Sequence, residues 1–487
     1  MSTRLAAPRM SLFAPSDPRP VHFMGAAGAG MSALAELLAR RGVRVTGCDA
    51  NPATVADLER LGITVSQGHD AAHVDGARAV VVTSAVPRDH PELEAAREKG
   101  IPVIRRAEAL AEAVSVGEVV AVAGTHGKTT TTVMTTEALG AAGLEPTGIV
   151  GGRVAAWNGN LSEGSDRLFV VEADEYDRSF LALAPTVAVV TSIEADHLDI
   201  YRDLTDIRVT FARFARDARA IVLCADDAGA NALPTPPTAE VVRYGISSTD
   251  ARLVAREVTP EPEGGSTYVP VYDGKVLPRV RLAVPGRHNV LNSLAALASG
   301  LVLGANAEGL ARGLANFRGV ERRFQRVGEA SGVLVIDDYA HHPTEIRATL
   351  AAARVALPGR RLVVAFQPHL YSRTRDFAPQ FGAALAQADE IFLTEIYPAR
   401  EQPIPGVSSS LIEDAIAGVA RGASVETHPS AGAPAPPAGR LAWRGERREL
   451  AAALAGAVRS GDVVITLGAG DITRTGPELL AHLTAAA

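Results

Sequence analysis

Short apolar runs that stop at a glycine or a polar residue, each followed by a stretch with apolar residues at helical spacing, recur along the whole chain. This alternation predicts repeated strand–helix–strand units and therefore an α/β protein built on parallel sheets. The first unit starts at Val21: VHFMGAAGAGMSALAELLARRGVRVTGCDA reads as a strand, a glycine turn, an amphipathic helix and a second strand ending in Asp49. ARAVVVTSAV adds a buried strand whose end, at Thr83 and Ser84, is expected beside Gly25. A second unit opens with an apolar strand over 119–122; within it RLFVVEADEYD ends near Glu172, and VAVVTSIEADHLDIY near Asp196 and His197. From about residue 318 the pattern repeats, with strands expected in VLVIDDYAHHP, RLVVAFQPHLYSRTRD, EIFLTEIYPARE and DVVITLGAGDI. The expected division is a disordered tail over 1–20 and three α/β domains over 21–115, 116–317 and 318–487. The proline-rich pieces LPTPPTAE, TPEPEGGST and HPSAGAPAPPAG read as surface loops.

Composition narrows the picture. At 487 residues the chain is too long for one core. A hydrophobic share of 47%, a mean hydropathy of +0.10 and a formal net charge of −7 describe a mildly acidic globular protein. Arginines are interspersed with acids and form no basic stripe, which argues against nucleic acid as a partner. No apolar run approaches the 18 or so residues of a membrane span, and the first twenty residues lack a signal-peptide core. Two cysteines, Cys48 and Cys224, exclude a disulfide framework and fit a reducing cytoplasm, the expected location.

The candidate chemistry begins with AVAGTHGKTTTT, a variant phosphate loop in which Val122 stands where the first glycine of G-x-x-x-x-G-K-[ST] is usual. Its mechanics survive: a strand enters the turn Gly124, Thr125, His126, Gly127, and Lys128, Thr129 and Thr130 open a helix whose amides face an anion. Lys128 would reach the terminal phosphates, and the Thr129 hydroxyl a magnesium ion. The bland alternative is a strand end with a threonine cap. Against it stands the scarcity of lysine, which occurs only at 99, 128 and 275; one kept in a glycine turn is expected to serve as a compact charge. Glu172, at a neighbouring strand end, is the expected second oxygen ligand of the magnesium. His197 could be a metal ligand or a helix cap. The first turn, Gly25, Ala26, Gly28 and Gly30 with Asp49 beyond it, departs from the dinucleotide fingerprint at Ala27, so a purely structural turn also remains open. His341 and His342 invite a metal reading, but no cysteine or third histidine joins them, and contact with polar groups of a substrate is favoured.

GTHGKTTTT, EADEYDRSF, SIEADHLDIY, GRHNVLN, DDYAHHPTE, FQPHLYSRTRDF and LTEIYPARE, in this order and at these separations, resemble the Mur ligase family over nearly the whole chain beyond the tail. The resemblance implies three domains: a Rossmann-like one for a UDP-sugar, a central P-loop ATPase-like one for ATP, and a C-terminal Rossmann-like one that closes with the amino acid. The implied reaction joins L-alanine to the lactyl carboxylate of UDP-N-acetylmuramate through an acyl phosphate, with ATP and two Mg²⁺ ions, in peptidoglycan precursor synthesis. Carried over by motif, Lys128, Glu172 and His197 are catalytic, and Thr129, Glu172 and His197 hold metal. His288, Asn289, Asn292, Arg323 and Asp338 join the loop around ATP. Gly25, Ala26, Gly28, Gly30, Asp49 and Ser84 meet the UDP-sugar, while Tyr339, His341, His342, Arg373 and Arg375 face muramate and alanine; Arg322 and Arg323 fall at the hinge of the last two domains. Besides Ala27, Leu370 replaces an expected arginine and Asp471 an expected asparagine, and no lysine between 128 and 275 is available for the carbamylated form some sister ligases use. The rival readings are a salvage ligase that attaches a tripeptide to the same sugar nucleotide, a small-metabolite kinase and a non-catalytic nucleotide sensor.

Overall fold

The computed structural model describes residues 17–51, 55–83, 85–261, 264–421 and 439–485. Apolar runs such as VHFM, AVVV and EVVAVA, buried on both faces, become strands of three separate sheets. The first holds β1 (Val21–Met24), β2 (Val45–Asp49), β3 (Thr64–Gln67), β4 (Ala79–Val82) and β5 (Val103–Arg105), all parallel in the order β3-β2-β1-β4-β5. The order reverses at β1, and in such sheets the crevice beyond the strand ends at that point receives ligands. Gly25 stands there, directly after β1.

The second sheet contains β6 (Glu118–Ala123), β7 (Pro146–Val154), β8 (Gly159–Ser162), β9 (Ser165–Glu172), β10 (Val187–Val190), β11 (Ala220–Cys224), β12 (Glu240–Gly245), β13 (Leu253–Pro260), β14 (Ser266–Tyr272), β15 (Lys275–Val276) and β16 (Val280–Leu282). Its middle runs β12-β11-β10-β6-β9-β7, parallel throughout. Because β6 lies between β10 and β9, three polar strand ends meet: the Gly124 loop, the Ser192–His197 turn and Glu172. The third sheet adds β17 (Gln325–Ala330), β18 (Val333–Asp338), β19 (Leu362–Phe366), β20 (Glu390–Thr394), β21 (Arg440–Gly445) and β22 (Val463–Leu467), ordered β17-β18-β22-β19-β20-β21. The four expected strands form its parallel centre. The edge strands β17, which runs antiparallel, and β21 escape the pattern because QRVGEA and RLAWRG carry too few apolar residues to read as buried strands.

Alternation along β19 shows how that sheet is covered. Leu362, Val364 and Phe366 pack with Ile346, Leu350, Phe381, Ile412 and Ile416 from the helices Pro343–Ala356, Tyr371–Leu385 and Ser410–Ala420. Val363 and Ala365 face the other way, toward Leu450, Leu454, Leu479 and Leu483 of Arg447–Ala457 and Thr475–Ala485. The chain divides into two compact units, the described residues of Met1–Arg256, Tyr268–Val280 and Leu291–Phe317, and those of Glu257–Thr267, Arg281–Val290 and Arg318–Ala487. The first sheet and the parallel middle of the second share the first unit, where Arg40 bonds Glu163 at 2.7 Å and Arg153 bonds Asp57 at 2.7 Å. Among the described residues no helix is long and apolar enough to cross a membrane, and both cysteines are free and buried. Most of the expected tail and of HPSAGAPAPPAG lies outside the described residues.

Helices Tyr371–Leu385 and Ser410–Ala420 touch through Gly382, where an added Cβ would stand 2.5 Å from the Ala415 Cβ and 2.9 Å from Ile416 N. Alanine ordinarily stabilises a helix interior by ~1 kcal/mol over glycine, but overpacking costs about 1–3 kcal/mol. Gly382→Ala is therefore expected to lower the melting temperature and Gly382→Val to lower it further; an unchanged or raised value in thermal unfolding would show that the helix pair can part freely.

Candidate functional site

The phosphate loop is held open by its neighbour. Gly124 has φ +137, and a Cβ there would lie 2.0 Å from Thr191 Oγ1, so the close approach of the two strand ends demands glycine. Thr125 N and His126 N donate to Ser192 O and Oγ at 2.9 and 3.0 Å, and Glu194 N donates to Thr125 Oγ1 at 2.9 Å. Gly127, at φ +81, turns the chain into the helix Lys128–Ala141, and its missing Cβ leaves room for Asn292, whose Oδ1 would otherwise be 2.5 Å away. The first bond of that helix runs from Thr131 N to Gly127 O at 2.9 Å, so the amides of Lys128, Thr129 and Thr130 form its open, electropositive first turn.

Lys128 Nζ donates to Gly124 O at 2.8 Å and to Glu175 Oε1 at 3.0 Å. Burial alone would lower the ammonium's pKa, but the carboxylates of Glu175, Asp174 and Glu172 outweigh it and hold it raised and charged. Burial pushes the Glu175 carboxyl up to about 7, against the pull of the Lys128 charge. Thr129 Oγ1 donates to Glu172 Oε1 at 2.6 Å, and Gly151 N to Glu172 Oε2 at 2.5 Å. A hydroxyl and a carboxylate so close, beside a helix start, are the hard oxygen donors that a magnesium ion with nucleotide phosphates takes, and the glycine-lined loop fits the phosphates. His197, at φ +53, sits in the turn after β10 with Nε2 3.7 Å from Glu175 Oε1 and 3.8 Å from Asp196 Oδ2, and its ring meets Tyr176 edge-on. The following helix, Leu204–Ala215, is capped by Asp203, so the capping alternative for His197 falls. Lys128, Thr129, Glu172 and His197 are thus brought together. Glu175 was missed; the signal lay in EADEYD, whose last glutamate follows the end of β9 by three residues and is held at its carbonyl by Tyr201 OH at 2.6 Å.

At the end of β1, Gly25 (φ +75) and Ala26 donate their amides to Cys48 O at 2.8 and 3.0 Å, and Ala27 N donates to Asp49 Oδ2 at 2.9 Å. Asp49 accepts Asn51 N as well, at 2.8 Å, so its carboxylate shapes the turn itself. Gly28 ends the turn as the residue before the helix Ala29–Arg40, and Gly30 sits beneath Arg106, whose Nη1 would be 3.2 Å from a Cβ. Asn160 Nδ2 reaches Ala29 O at the same helix start, at 3.3 Å. Ser84 lies outside the described residues.

In the second unit, Arg322 and Arg323 lie 4.8 and 5.1 Å over the Tyr339 ring, and Arg322 Nη2 donates to Gly468 O at 2.7 Å. Tyr339, His341, His369 and Tyr397 form a chain of ring contacts at 5.1, 5.8 and 5.8 Å, with Arg373 Nη1 3.5 Å from His369 Nδ1. His369 and Tyr397 had no signal of their own; a bridge between their two loops aligns them. Two of the expected substrate contacts are engaged within the chain. His342 caps the helix Pro343–Ala356, accepting Thr344 N at Nδ1, and Arg375 is exposed and paired with its neighbour Asp376. Leu370, at the departure from the family pattern, is buried at φ +71 and brings no charge to this group. Asp338 accepts Phe324 N and Ala340 N at 2.8 Å each, while burial raises it to about 6 despite Arg323. His288 is lowered to about 4 by burial and the Arg323 charge, so its ring is neutral, and Asn289 Nδ2 donates to Pro285 O at 2.7 Å. Asp471 accepts Gln367 Nε2 at 2.8 Å, a role open to asparagine as well.

Three family models match in succession: the Mur ligase family catalytic domain over 20–116, the Mur ligase middle domain over 122–300 and the Mur ligase glutamate ligase domain over 322–470. The chain is 46% identical over 471 residues to the UDP-N-acetylmuramate–L-alanine ligase of Kineococcus radiotolerans, covering 94% of this chain and 95% of that protein. It is 45% identical over 477 residues to the protein of the same name in Saccharopolyspora erythraea, covering 95% and 93%. Among solved structures, UDP-N-acetylmuramate-alanine ligase from Thermotoga maritima matches with a TM-score of 0.79 and 28% identity over 96% of this chain and 100% of that one. A murein peptide ligase from Psychrobacter arcticus shares the fold, with a TM-score of 0.69 at 24% identity over 96% and 99%. By sequence and fold alike, the chain belongs to the Mur ligase family.

Proposed function

We propose that the protein is an ATP-dependent ligase that joins L-alanine to the lactyl carboxylate of UDP-N-acetylmuramate. The observation that carries this reading is the convergence of Lys128, Thr129, Glu172, Glu175 and His197 at three adjacent strand ends beside a helix start. The names of relatives 43–46% identical over nearly the full chain support the choice of alanine and the UDP-sugar. On this reading residues 21–115 hold the UDP-sugar, 116–317 ATP, and 318–487 the amino acid.

The chemistry follows from the problem the acceptor poses. A carboxylate resists an amine because its charge and resonance repel attack, so it must first gain a leaving group. The carboxylate oxygen attacks the γ-phosphorus, ADP departs and an acyl phosphate forms. The amine of L-alanine then attacks the carbonyl carbon, and phosphate leaves as the amide is made. Two anions must approach each other in the first step, so the residues supply positive charge and position. Lys128 and the amides of Lys128, Thr129 and Thr130 neutralise and orient the phosphates, and Glu175 holds the ammonium in place. Magnesium, bound through Thr129 and Glu172 with a second ion near His197, would further offset phosphate charge. Tyr339, His341 and Arg373, joined by His369 and Tyr397, are the group proposed to meet the muramate and alanine.

With ATP, Mg²⁺ and UDP-N-acetylmuramate supplied, phosphate release is expected to depend on L-alanine. Dependence on a murein tripeptide instead would assign the salvage reaction, and release needing neither would overturn both. Lys128→Ala should lower turnover by on the order of 10²–10³-fold, the usual loss for one preorganised charge donor. It should also lower thermal stability, because Glu175 is left buried without its cation; Lys128→Ala with Glu175→Gln should recover stability but not turnover. Wild-type turnover in either folded variant would remove the phosphate role. His197→Ala should raise the Mg²⁺ concentration needed for half-maximal rate while ATP affinity changes much less. A lower melting temperature with an unchanged Mg²⁺ requirement would make His197 a structural residue.

A further inference from the structure

The first sheet carries a second group of metal-donor side chains that the ligase reaction does not use. Glu92, in the first turn of the helix Pro91–Glu98, is fully buried, as is Cys48 near the end of β2, and His22 on β1 is 1% exposed. A carboxylate inside a core ordinarily has an arginine or lysine beside it. The described partners of Glu92 are instead a thiol, two imidazoles and one backbone amide. Cys48 Sγ lies 3.2 Å from Glu92 Oε2 and 3.4 Å from His69 Nδ1, and His69 Nδ1 lies 3.6 Å from Glu92 Oε1. His73 Nδ1 is 2.9 Å from Glu92 Oε1, and Asp70 N donates to the same oxygen at 3.0 Å.

Those separations have a specific chemical meaning. Around a tetrahedral zinc ion, with Zn–S of about 2.3 Å and Zn–N or Zn–O of about 2.0–2.1 Å, donor atoms stand roughly 3.3–3.6 Å apart. Cys48 Sγ and His69 Nδ1 already stand at that spacing, and the Glu92 carboxylate faces both, with Oε2 3.2 Å from the sulfur and Oε1 3.6 Å from the imidazole. Two donor groups share the Glu92 carboxylate: donor atoms of His22, Cys48 and Glu92 lie within 4.8 Å of one another, and so do those of His69, His90 and Glu92. His22 Nδ1 is engaged 3.0 Å from Thr46 Oγ1, whereas its Nε2 is buried with no hydrogen-bond partner among the described residues. A thiolate and a carboxylate together balance a divalent charge, so the interior would hold no net charge once the thiol proton is released. Sulfur and imidazole donors select a borderline-soft ion over the magnesium of the nucleotide loop.

We propose that His22, Cys48 and Glu92 bind one zinc-class divalent transition-metal ion, with His69, whose Nδ1 is 3.4 Å from Cys48 Sγ, closing the site and His73 orienting the Glu92 carboxylate. His69 is partly exposed and gives the ion a way in. The ion would brace the sugar-nucleotide turn from behind. Cys48 O accepts the amides of Gly25 and Ala26, and the next residue, Asp49, accepts that of Ala27. The proposal stands or falls independently of which substrate the ligase takes.

The test uses the full chain, stripped with a chelator, returned to buffer with excess Mg²⁺ and titrated with Zn²⁺ in competition with a chromophoric chelator. One equivalent of tightly held zinc is expected, with affinity lower by about 10–100-fold or more in Cys48→Ser and in Glu92→Gln. Loaded with Co²⁺, the wild type and Cys224→Ser should both show a thiolate-to-cobalt charge-transfer band that Cys48→Ser lacks. Failure of the wild type to compete with the chelator for zinc would overturn the proposal, and so would a cobalt band that survives in Cys48→Ser. Should the Cys48 variant not fold, the wild-type competition decides alone.

Discussion

An ammonium sealed among carbonyl and carboxylate oxygens, at the start of a helix whose amides point the same way, is the contact that the nucleotide site is arranged around. Such a concentration of positive potential is tolerable without phosphate only if nearby oxygens balance it, and Gly124 O, Thr125 O and Glu175 do so at 2.8 to 3.4 Å. Those oxygens can converge because β6 is flanked by β9 and β10, each ending in a polar turn at the same level. The order of strands in the sheet is therefore a precondition of the chemistry. So is glycine at 124, since a side chain there would push the β10 turn away.

The same logic, carried by different residues, shapes the first sheet. There the turn after β1 is fastened through a backbone carbonyl, Cys48 O, and through the Asp49 carboxylate, so the amides of 25, 26 and 27 are spoken for before any ligand arrives. The two glycine turns thus differ in kind. In the phosphate loop the amides at the helix start stay open, whereas in the first turn the chain engages its own amides.

Legibility from sequence tracked burial and locality. The parallel central strands could be read because residues buried on both faces are apolar without interruption, as in AVVV and LVVAF. The edge strands β17 and β21 could not, since water covers part of them and their composition is that of loops. The phosphate loop, Glu172 and His197 were legible because glycine, lysine and strand-end carboxylates carry their chemistry in local order. Glu175 was not, because its role depends on a pairing with Lys128, 47 positions away, and on Tyr201 holding its carbonyl, neither of which local order announces. His369 and Tyr397 likewise meet only through the register of two separate loops, and the side chains of His342 and Arg375, chemically apt, are claimed by a helix cap and by a neighbouring aspartate.

The scarcity of lysine has a practical side. Only three side chains carry primary amines, and they occupy three unlike settings: Lys99 is 44% exposed, Lys275 stands on an exposed edge strand, and Lys128 is 14% exposed beneath Glu175. An acylating reagent would mark the first two quickly and the third only when the loop lets it out. The rate at which one peptide of the digest gains mass is thus a clock for the opening of the nucleotide site, readable with no label installed.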